Sequence, residues 1–412
     1  MFKSKNSKCK SLEKGASWWS IGASIFAMFF GAGNIIFPLQ LGLQNFLHPS
    51  IASLGFIVTA VIVPCLGLIA IILYSGSYKN FFYTIGKIPG FVLITLILGL
   101  IGPFAGIPRA IIVSYGTLIG LKVPMCFLGK NLAIFSLFSC CLIFVFSSRL
   151  GKLLQWLGLL FSPIMLITLA IIIIKSLVLS SNSLVTTIPQ NPWMNFQNGF
   201  LAGFRTMDLL ASFFFSAIVL LSLKKIANPN KDPSELETED FCISRKTTLL
   251  LLKGSLFAAS LLAISYFSFV FAAARHSANL AHIDITNILG HLSSITLGQK
   301  VNWITGLCVF FACLSTEIAL AGIFAEFLQT VLFPNHLKYS LSLLITLIIT
   351  FLVSIINFNG LSAILVPILE ICYPALIMLT IVNILKKTIN FRHEKICFYG
   401  MLLLTFILKY II

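Results

Sequence analysis

Long apolar runs separated by short polar segments dominate the pattern of the chain. Runs of about 20 apolar residues are long enough to cross the hydrocarbon core of a bilayer as helices. The pattern predicts eleven spans, at 18–38, 51–73, 91–113, 127–147, 152–175, 199–222, 247–272, 302–328, 339–357, 362–385 and 396–411. Continuous apolar runs, rather than the short alternating strands of a membrane β-barrel, indicate an all-α integral membrane protein.

The first predicted span contains residues that interrupt a helix. Its middle reads Gly31-Ala32-Gly33-Asn34, and Pro38 follows. Glycine in a helix interior costs roughly 1 kcal/mol relative to alanine, so the helix can open here with the least loss. An open backbone is tolerated in lipid only where it faces protein or a water-filled cavity. The free N–H groups at the start of the second half-helix therefore predict a site for a small anion, such as an amino acid's carboxylate.

A second interruption lies near the start of the sixth predicted span. Gly199 and Gly203 precede the polar cluster Arg205-Thr206-Met207-Asp208, and a continuous apolar helix then resumes. Glycine-broken segments at corresponding positions of two halves are typical of inverted repeats with a binding site at the membrane midplane. The predicted organisation is a basic N-terminus (1–17), a first repeat (18–176), an external loop (177–198), a second repeat (199–385), and a cytoplasmic loop with a final span (386–412).

Composition and charge are consistent with a membrane protein. Of the 412 residues, 58% are hydrophobic and only 10% are charged, against about 25% charged in soluble domains. A formal net charge of +16 would suggest a nucleic-acid partner in a soluble protein. Here most cations fall in loops on one side of the predicted spans, so the positive-inside rule predicts a cytoplasmic N-terminus and a lipid bilayer as the partner. We expect the basic N-terminus and first span to act as an uncleaved anchor.

Ionisable residues inside spans are rare and are functional candidates by default. Two interpretations are open for three of the five candidates, Arg109, Arg205 and Asp208. The first is structural: Arg205 and Asp208 neutralise each other, and Arg109 pairs with backbone carbonyls. The second gives Asp208 a role in holding a cation, because it lies in the interrupted segment beside unwound carbonyls. The candidates are Arg109, Arg205, Asp208, Glu317 and Glu370.

Ser315 and Thr316 are candidates of another kind. Hydroxyls at two successive helical positions, near a free carbonyl, supply the oxygen ligands that a small cation such as sodium prefers. The alternative is that both hydroxyls bond back to the preceding helical turn, as is common in membrane helices.

The sequence offers no pattern for catalysis or for a bound cofactor. The ten cysteines are scattered without a zinc or disulfide spacing. His282, Asp284 and His291 match no template for metal ligands, and no phosphate-binding loop indicates ATP hydrolysis. We therefore expect neither an enzyme nor a cofactor other than a coupling ion.

Four segments together resemble the bacterial branched-chain amino acid:cation symporter family, the system II carriers for leucine, isoleucine and valine. They are Phe29-Phe30-Gly31-Ala32-Gly33-Asn34-Ile35-Ile36-Phe37-Pro38, Gly102-Pro103 through Pro108-Arg109, Thr206-Met207-Asp208 and Ala312-Cys313-Leu314-Ser315-Thr316. The resemblance covers about residues 18–385. It implies the five-plus-five inverted-repeat fold of the leucine transporter, in the amino acid–polyamine–organocation superfamily, with discontinuous helices 1 and 6, in a bacterial inner membrane.

The resemblance also implies roles for residues. Gly31, Ala32, Gly33 and Asn34 would hold the substrate carboxylate, and Thr206, Met207 and Asp208 would bind the ammonium group and part of the side chain. Sodium would lie between the carbonyls of Ala27, Phe30 and Ala312 and the hydroxyls of Ser315 and Thr316. Family members usually have twelve spans, whereas this sequence predicts eleven. Glu317 and Arg205 also depart from the family pattern, and Glu317 leaves open whether sodium or a proton is the coupling ion.

The expected function is secondary active uptake of leucine, isoleucine or valine by symport with sodium or protons. The partners would be a small amino acid, the coupling ion and the bilayer, with no nucleic acid; the sequence does not determine the oligomeric state. Two alternatives are a transporter of the same fold for another amino acid, and an amino-acid receptor that does not transport.

Overall fold

A computed structural model describes residues 17–120, 131–147, 162–179, 191–227, 245–298, 302–334, 336–356 and 358–410. These ranges contain helices and turns but no strand. The helices are α1 Trp18–Phe29, α2 Ala32–Gln44, α3 Pro49–Ile57, α4 Val63–Leu73, α5 Tyr78–Phe82, α6 Lys87–Ile101, α7 Gly106–Gly120, α8 Leu132–Ser147, α9 Ser162–Val178, α10 Pro192–Phe204, α11 Asp208–Ala227, α12 Arg245–Arg275, α13 Ser277–Leu280, α14 Ile288–Leu297, α15 Asn302–Phe327, α16 Tyr339–Ser354, α17 Phe358–Ile389 and α18 Glu394–Tyr410.

Every one of the eleven predicted spans contains helix, and the protein is an all-α integral membrane protein. In the described part of the chain, five helical segments are long and apolar enough to cross a bilayer, and a pair bent by 70° at α1 and α2 makes a sixth. Three further apolar helices are shorter. The predicted N-terminal segment, the starts of the fourth and fifth spans, the middle of the external loop and the polar connection before α12 lie outside the described residues.

The two halves pack on each other in a reciprocal way. The half-helix before the first break, α1, packs along α12, and the half-helix before the second break, α10, packs along α3. Since α3 and α12 belong to the second span of each half, each broken span rests on the second span of the other repeat. The two broken spans meet at the centre, where Asn34 donates to Asp208.

The contact between α3 and α10 depends on glycine. An ideal Cβ on Gly55 would lie 2.2 Å from the carbonyl oxygen of Phe196, and one on Gly199 would lie 2.0 Å from that of Ala52. The hydroxyl of Thr59 crosses the same contact and donates to the carbonyl of Phe200 at 2.9 Å. Because small residues let backbones approach this closely, van der Waals contact replaces the hydrophobic effect as the force that joins the helices.

Three segments differ from the predicted pattern. The third predicted span, 91–113, is divided by a turn between Ile101 and Gly106, where a glycine and a proline follow each other. The second broken span begins at Pro192 rather than at residue 199, because Asn191 caps the helix by accepting from the amide of Trp193 at 3.0 Å. The connection between the predicted spans at 247–272 and 302–328 contains two short helices, α13 and α14.

The last helix is attached to its neighbour by charge pairs at both ends. Lys386 at the end of α17 donates to Glu394 at 2.5 Å. Lys409, near the end of α18, pairs with Glu370 in the middle of α17. Glu370, one of the ionisable candidates, is therefore a partner for the final span and lies outside the central site.

Replacing Gly55 with alanine should destabilise the protein, because the added methyl group must displace the backbone of α10. Overpacking of this kind costs about 1–3 kcal/mol. We expect a lower midpoint of thermal unfolding for Gly55→Ala in detergent. Gly400→Ala is the matched control, since no atom of the described part of the chain lies within 4 Å of an ideal Cβ at that helical position. Equal midpoints for the two variants would contradict the proposed contact.

Candidate functional site

The first break exposes the N-terminus of α2 to the centre of the protein. α1 ends at Phe29, and Gly31 is extended, with φ −121° and ψ −162°, before α2 begins. The side-chain oxygen of Asn34 accepts from the amide of Gly31 at 3.3 Å. Ala32 and Gly33 are in the first turn of the helix, where amides have no carbonyl of their own helix to bond. The predicted opening at 31–34 thus begins with two non-helical residues, Phe30 and Gly31, which are followed by a helix N-terminus.

The second break is a turn of three residues, Arg205 to Met207, between α10 and α11. Met207 adopts a positive φ of 63°, which is uncommon for a residue other than glycine. Thr206 donates its hydroxyl to the carbonyl of Gly203 at 2.9 Å and accepts from the amide of Asp208 at 3.4 Å. Asp208 consequently begins α11, where a carboxylate is favoured by the helix dipole.

Asn34 joins the two breaks directly. Its side-chain amide donates to Oδ2 of Asp208 at 2.7 Å and also contacts the hydroxyl of Tyr266. Tyr266 in α12 donates to the same oxygen of Asp208 at 3.3 Å. Asn34 and Asp208 are each 3% exposed and Tyr266 is fully buried. Residues predicted from two distant motifs therefore form one polar cluster, with a tyrosine that the sequence analysis did not single out.

A signal for Tyr266 was present in the sequence. A tyrosine inside an apolar span must find a partner for its hydroxyl, because an unpaired polar group in a dry interior is costly. Tyr373 in α17 also has a hydrogen-bond partner for its hydroxyl. Its hydroxyl accepts from the amide of Leu209 at 3.0 Å, and its ring stacks on Phe204 at 4.7 Å, so it supports both sides of the second break.

Arg109, on the first turn of α7, spans both breaks. Its Nη1 donates to the carbonyl of Arg205 at 2.6 Å, and its Nη2 donates to the carbonyl of Thr206 at 3.2 Å. An ideal Cβ on Gly33 would lie 2.8 Å from the same Nη2, and the guanidinium lies over the ring of Phe37 at 5.2 Å. The interpretation that Arg109 pairs with backbone carbonyls agrees with these contacts.

Arg205 and Asp208 do not form an ion pair with each other in the described part of the chain. Asp208 is bonded to Asn34 and Tyr266 instead, whereas Arg205 is partly exposed. The interpretation in which these two residues simply neutralise each other is therefore wrong, and Asp208 keeps its carboxylate at the junction of the breaks.

The predicted cation site lies where α1 meets α15. The hydroxyl of Ser315 donates to the carbonyl of Ala312 at 2.7 Å. The hydroxyl of Thr316 lies 3.5 Å from the carbonyl of Met28 and 3.4 Å from that of Ala312. Bonding back to the preceding turn, the alternative for this pair, therefore holds for both hydroxyls. The hydroxyl of Thr316 in addition lies within reach of α1. Ala27 and Phe30, the other two predicted ligands, are buried on the same segment of α1 and its end.

Thr316 also lies against the first break. An ideal Cβ on Gly31 would lie 3.0 Å from its hydroxyl oxygen. The predicted cation site and the predicted carboxylate site thus adjoin each other. Glu317 follows directly in α15 and is 2% exposed. The described residues hold no cluster of three histidine, cysteine or acidic side chains that could bind a metal ion.

Comparison with known proteins decides the family. The family described as Branched-chain amino acid transport protein matches residues 14–411. The chain belongs to this family. BrnQ of Escherichia coli strain K12, a branched-chain amino acid permease, is 29% identical over 372 residues, which are 89% of this chain and 80% of the permease. BrnQ of Bacillus subtilis strain 168 is 28% identical over 397 residues, 94% of this chain and 85% of that protein.

Solved structures support the fold. Mhp1, a nucleobase–cation-symport-1 family transporter, aligns with a TM-score of 0.59 at 14% identity. The alignment covers 96% of this chain and 91% of the Mhp1 chain. A Na⁺-coupled sialic acid symporter aligns with a TM-score of 0.52 at 11% identity, covering 95% of this chain and 88% of its own. The relatives are named as permeases and carriers, so the protein is a membrane transporter and not an enzyme.

Replacing Tyr266 with phenylalanine should weaken the polar cluster, because Asp208 loses one of its hydrogen-bond donors. A hydrogen bond to a charged group contributes about 1.5–3 kcal/mol, so we expect apparent affinity for a branched-chain amino acid to fall by about 10- to 100-fold. The measurement is the concentration dependence of uptake into proteoliposomes. Tyr410→Phe is the control, since Tyr410 is 60% exposed. An unchanged affinity in Tyr266→Phe would remove Tyr266 from the site.

Proposed function

We propose that the transporter takes up leucine, isoleucine and valine by symport with a sodium ion. The family and the names of the relatives support branched-chain amino acids as the substrate class. The observation that carries the proposal is the hydrogen bond from Asn34 to Asp208, because it joins the two helix breaks into one buried polar site. An amino acid has a carboxylate and an ammonium group within a few ångströms, and the two breaks offer complementary groups for both.

The carboxylate is assigned to the first break and the ammonium group to the second. The amides at Gly31, Ala32, Gly33 and Asn34 and the positive end of the α2 dipole suit an anion. Thr206, Met207 and Asp208 offer a carbonyl, a hydroxyl and a carboxylate to the ammonium group. An apolar pocket separates leucine from valine by only about 1–3 kcal/mol per methylene group, so selectivity within the branched-chain class should be broad.

Sodium is assigned to the oxygens between α1 and α15. The ligand set comprises the carbonyls of Ala27, Phe30 and Ala312 and the hydroxyls of Ser315 and Thr316, and the closeness of Thr316 to Met28 and Gly31 supports it. An ion held here would fix α1 against α15 and so order the first break for substrate. By linkage, substrate would increase the affinity for the ion by the same factor.

The direct test is transport by purified protein in liposomes. Labelled leucine is supplied with an imposed sodium gradient or an imposed proton gradient, each at zero membrane potential. The proposal expects accumulation with the sodium gradient alone. Accumulation with the proton gradient alone would assign coupling to a proton instead, and Glu317 is the buried acid next to the site. Saturable binding without counterflow would instead identify a receptor on the same fold.

The membrane orientation follows from charge. We assign the protein to the bacterial plasma membrane as a multi-pass protein with a cytoplasmic N-terminus, since most lysines and arginines of the loops would then lie inside. The ion gradient, rather than the orientation of the protein, sets the direction of net substrate transport.

Replacing Gly33 with leucine should abolish uptake while the protein remains in the membrane. Nη2 of Arg109 already lies within 2.8 Å of an ideal Cβ at this position, and a leucine side chain would fill the space proposed for the carboxylate. The measurement is leucine uptake, normalised to the amount of protein in the membrane. Undiminished uptake would count against the assignment of the first break to substrate.

Replacing Thr316 with alanine should raise the sodium concentration needed for half-maximal uptake by roughly 10-fold, the effect of about 1.4 kcal/mol. The reason is the loss of one proposed ligand. Thr350→Ala is the matched control, because Thr350 is also buried and donates to a carbonyl of its own helix at 2.9 Å. If both variants show the same sodium dependence, Thr316 does not bind the coupling ion.

A further inference from the structure

Arg109 carries a buried positive charge that its visible partners do not neutralise. The side chain is 6% exposed, and its two hydrogen bonds go to the carbonyls of Arg205 and Thr206. Its Nε is buried and has no hydrogen-bond partner among the residues that the structure describes. Within the described ranges no ion pair, at a limit of 4.0 Å, joins this guanidinium to a carboxylate. Asp208 interacts with this charge only through space, so the guanidinium lacks an anion in direct contact, which a charge inside the membrane is expected to have.

The position of the guanidinium also favours an anion beside it. Its Nη2 lies against Gly33, in the first turn of α2, where free amides and the helix dipole already produce a positive potential. A cation is unfavourable at a helix N-terminus, so two sources of positive potential meet at one point. A carboxylate placed there would relieve both at once, and a guanidinium binds a carboxylate through two parallel hydrogen bonds.

The negative partner of the same site is held apart from Arg109. The carboxylate of Asp208 accepts from the neutral donors Asn34 and Tyr266. The site therefore presents one cation and one anion, both buried and neither neutralised by the other through contact. A molecule with a carboxylate and an ammonium group a few ångströms apart matches this arrangement, whereas a simple anion or a simple amine satisfies only half of it.

We propose that Arg109 binds the substrate carboxylate, together with the free amides at the start of α2, while it braces the carbonyls of the second break. The proposal rests on the proposed function, because it takes an α-amino acid as the substrate. It makes Arg109 the residue that selects for the carboxylate, and it explains why one side chain contacts both breaks. A carboxylate on Arg109 would then connect the substrate to the backbone of both broken spans.

The test compares leucine with leucinol, which keeps the ammonium group and the side chain but replaces the carboxylate by a hydroxymethyl group. The inhibition constant of each is measured against labelled leucine in proteoliposomes, for the wild type, Arg109→Gln and Arg109→Lys. We expect the wild type to prefer leucine strongly. In R109Q the affinity for leucine should fall by about 100-fold more than the affinity for leucinol, the effect of leaving one partner of a buried charge pair unmatched.

R109K retains the charge but not the planar fork, so it should keep part of the preference, with the leucine-to-leucinol ratio reduced by about 5- to 10-fold. If R109Q fails to assemble in the membrane, the leucine-to-leucinol ratio of R109K tests the proposal. A purely bracing role predicts that both ligands weaken equally, and an unchanged ratio in the assembled variants would overturn the proposal. Gly400→Ala is the control for expression and purification, because none of the described residues has an atom within 4 Å of an ideal Cβ at that position.

The same experiment distinguishes failure of the proposed function from failure of the proposed role of Arg109. A wild-type protein that neither binds nor transports leucine would overturn the proposed function and this inference with it. A wild type that prefers leucine, with the same preference in R109Q and R109K, would overturn only the role of Arg109. Asp208→Asn provides the reciprocal measurement: it should weaken leucine and leucinol together, because both carry the ammonium group.

Discussion

The structure depends on the rule that backbone polar groups inside a membrane must be satisfied by protein. Two spans are broken near the centre, and each break frees amides or carbonyls that lipid cannot bond. Side chains satisfy many of them: Asn34 accepts from the amide of Gly31, Arg109 donates to two carbonyls of the second break, and Tyr373 accepts from the amide of Leu209. The polar residues of the site are therefore required by the breaks themselves, before any substrate is considered.

Because these side chains come from other helices, the breaks are mechanically connected. Asn34 belongs to the first break but donates to Asp208 at the second. Arg109, from α7, contacts both. A movement at either break must change hydrogen bonds at the other. Alternating access in this class of fold consists of one set of helices moving against another around a fixed site, and the connections seen here are the means by which a ligand at the centre could favour one arrangement.

Glycines set the distances at which the helices meet. The contact of α3 with α10 leaves no space for a methyl group at Gly55 or Gly199. In lipid there is little hydrophobic gain from joining two apolar helices, so close packing and interhelical hydrogen bonds must supply the association. Charges away from the centre have a different role, as in the pair of Lys409 with Glu370 that attaches the last helix.

The sequence alone determined the class, the positions of the spans and the two breaks, since these depend on local properties: the length of apolar runs and the low helix propensity of glycine. It also placed Asn34, Asp208 and Thr316 among the candidates, because polar residues in broken spans are informative by themselves. Tertiary structure decided the rest. That Tyr266 and Tyr373 support the site, that Asp208 bonds to Asn34 rather than pairing with Arg205, and that Arg109 reaches both breaks all depend on which helices are neighbours. Those contacts join residues that are far apart in the chain, and no local pattern specifies them.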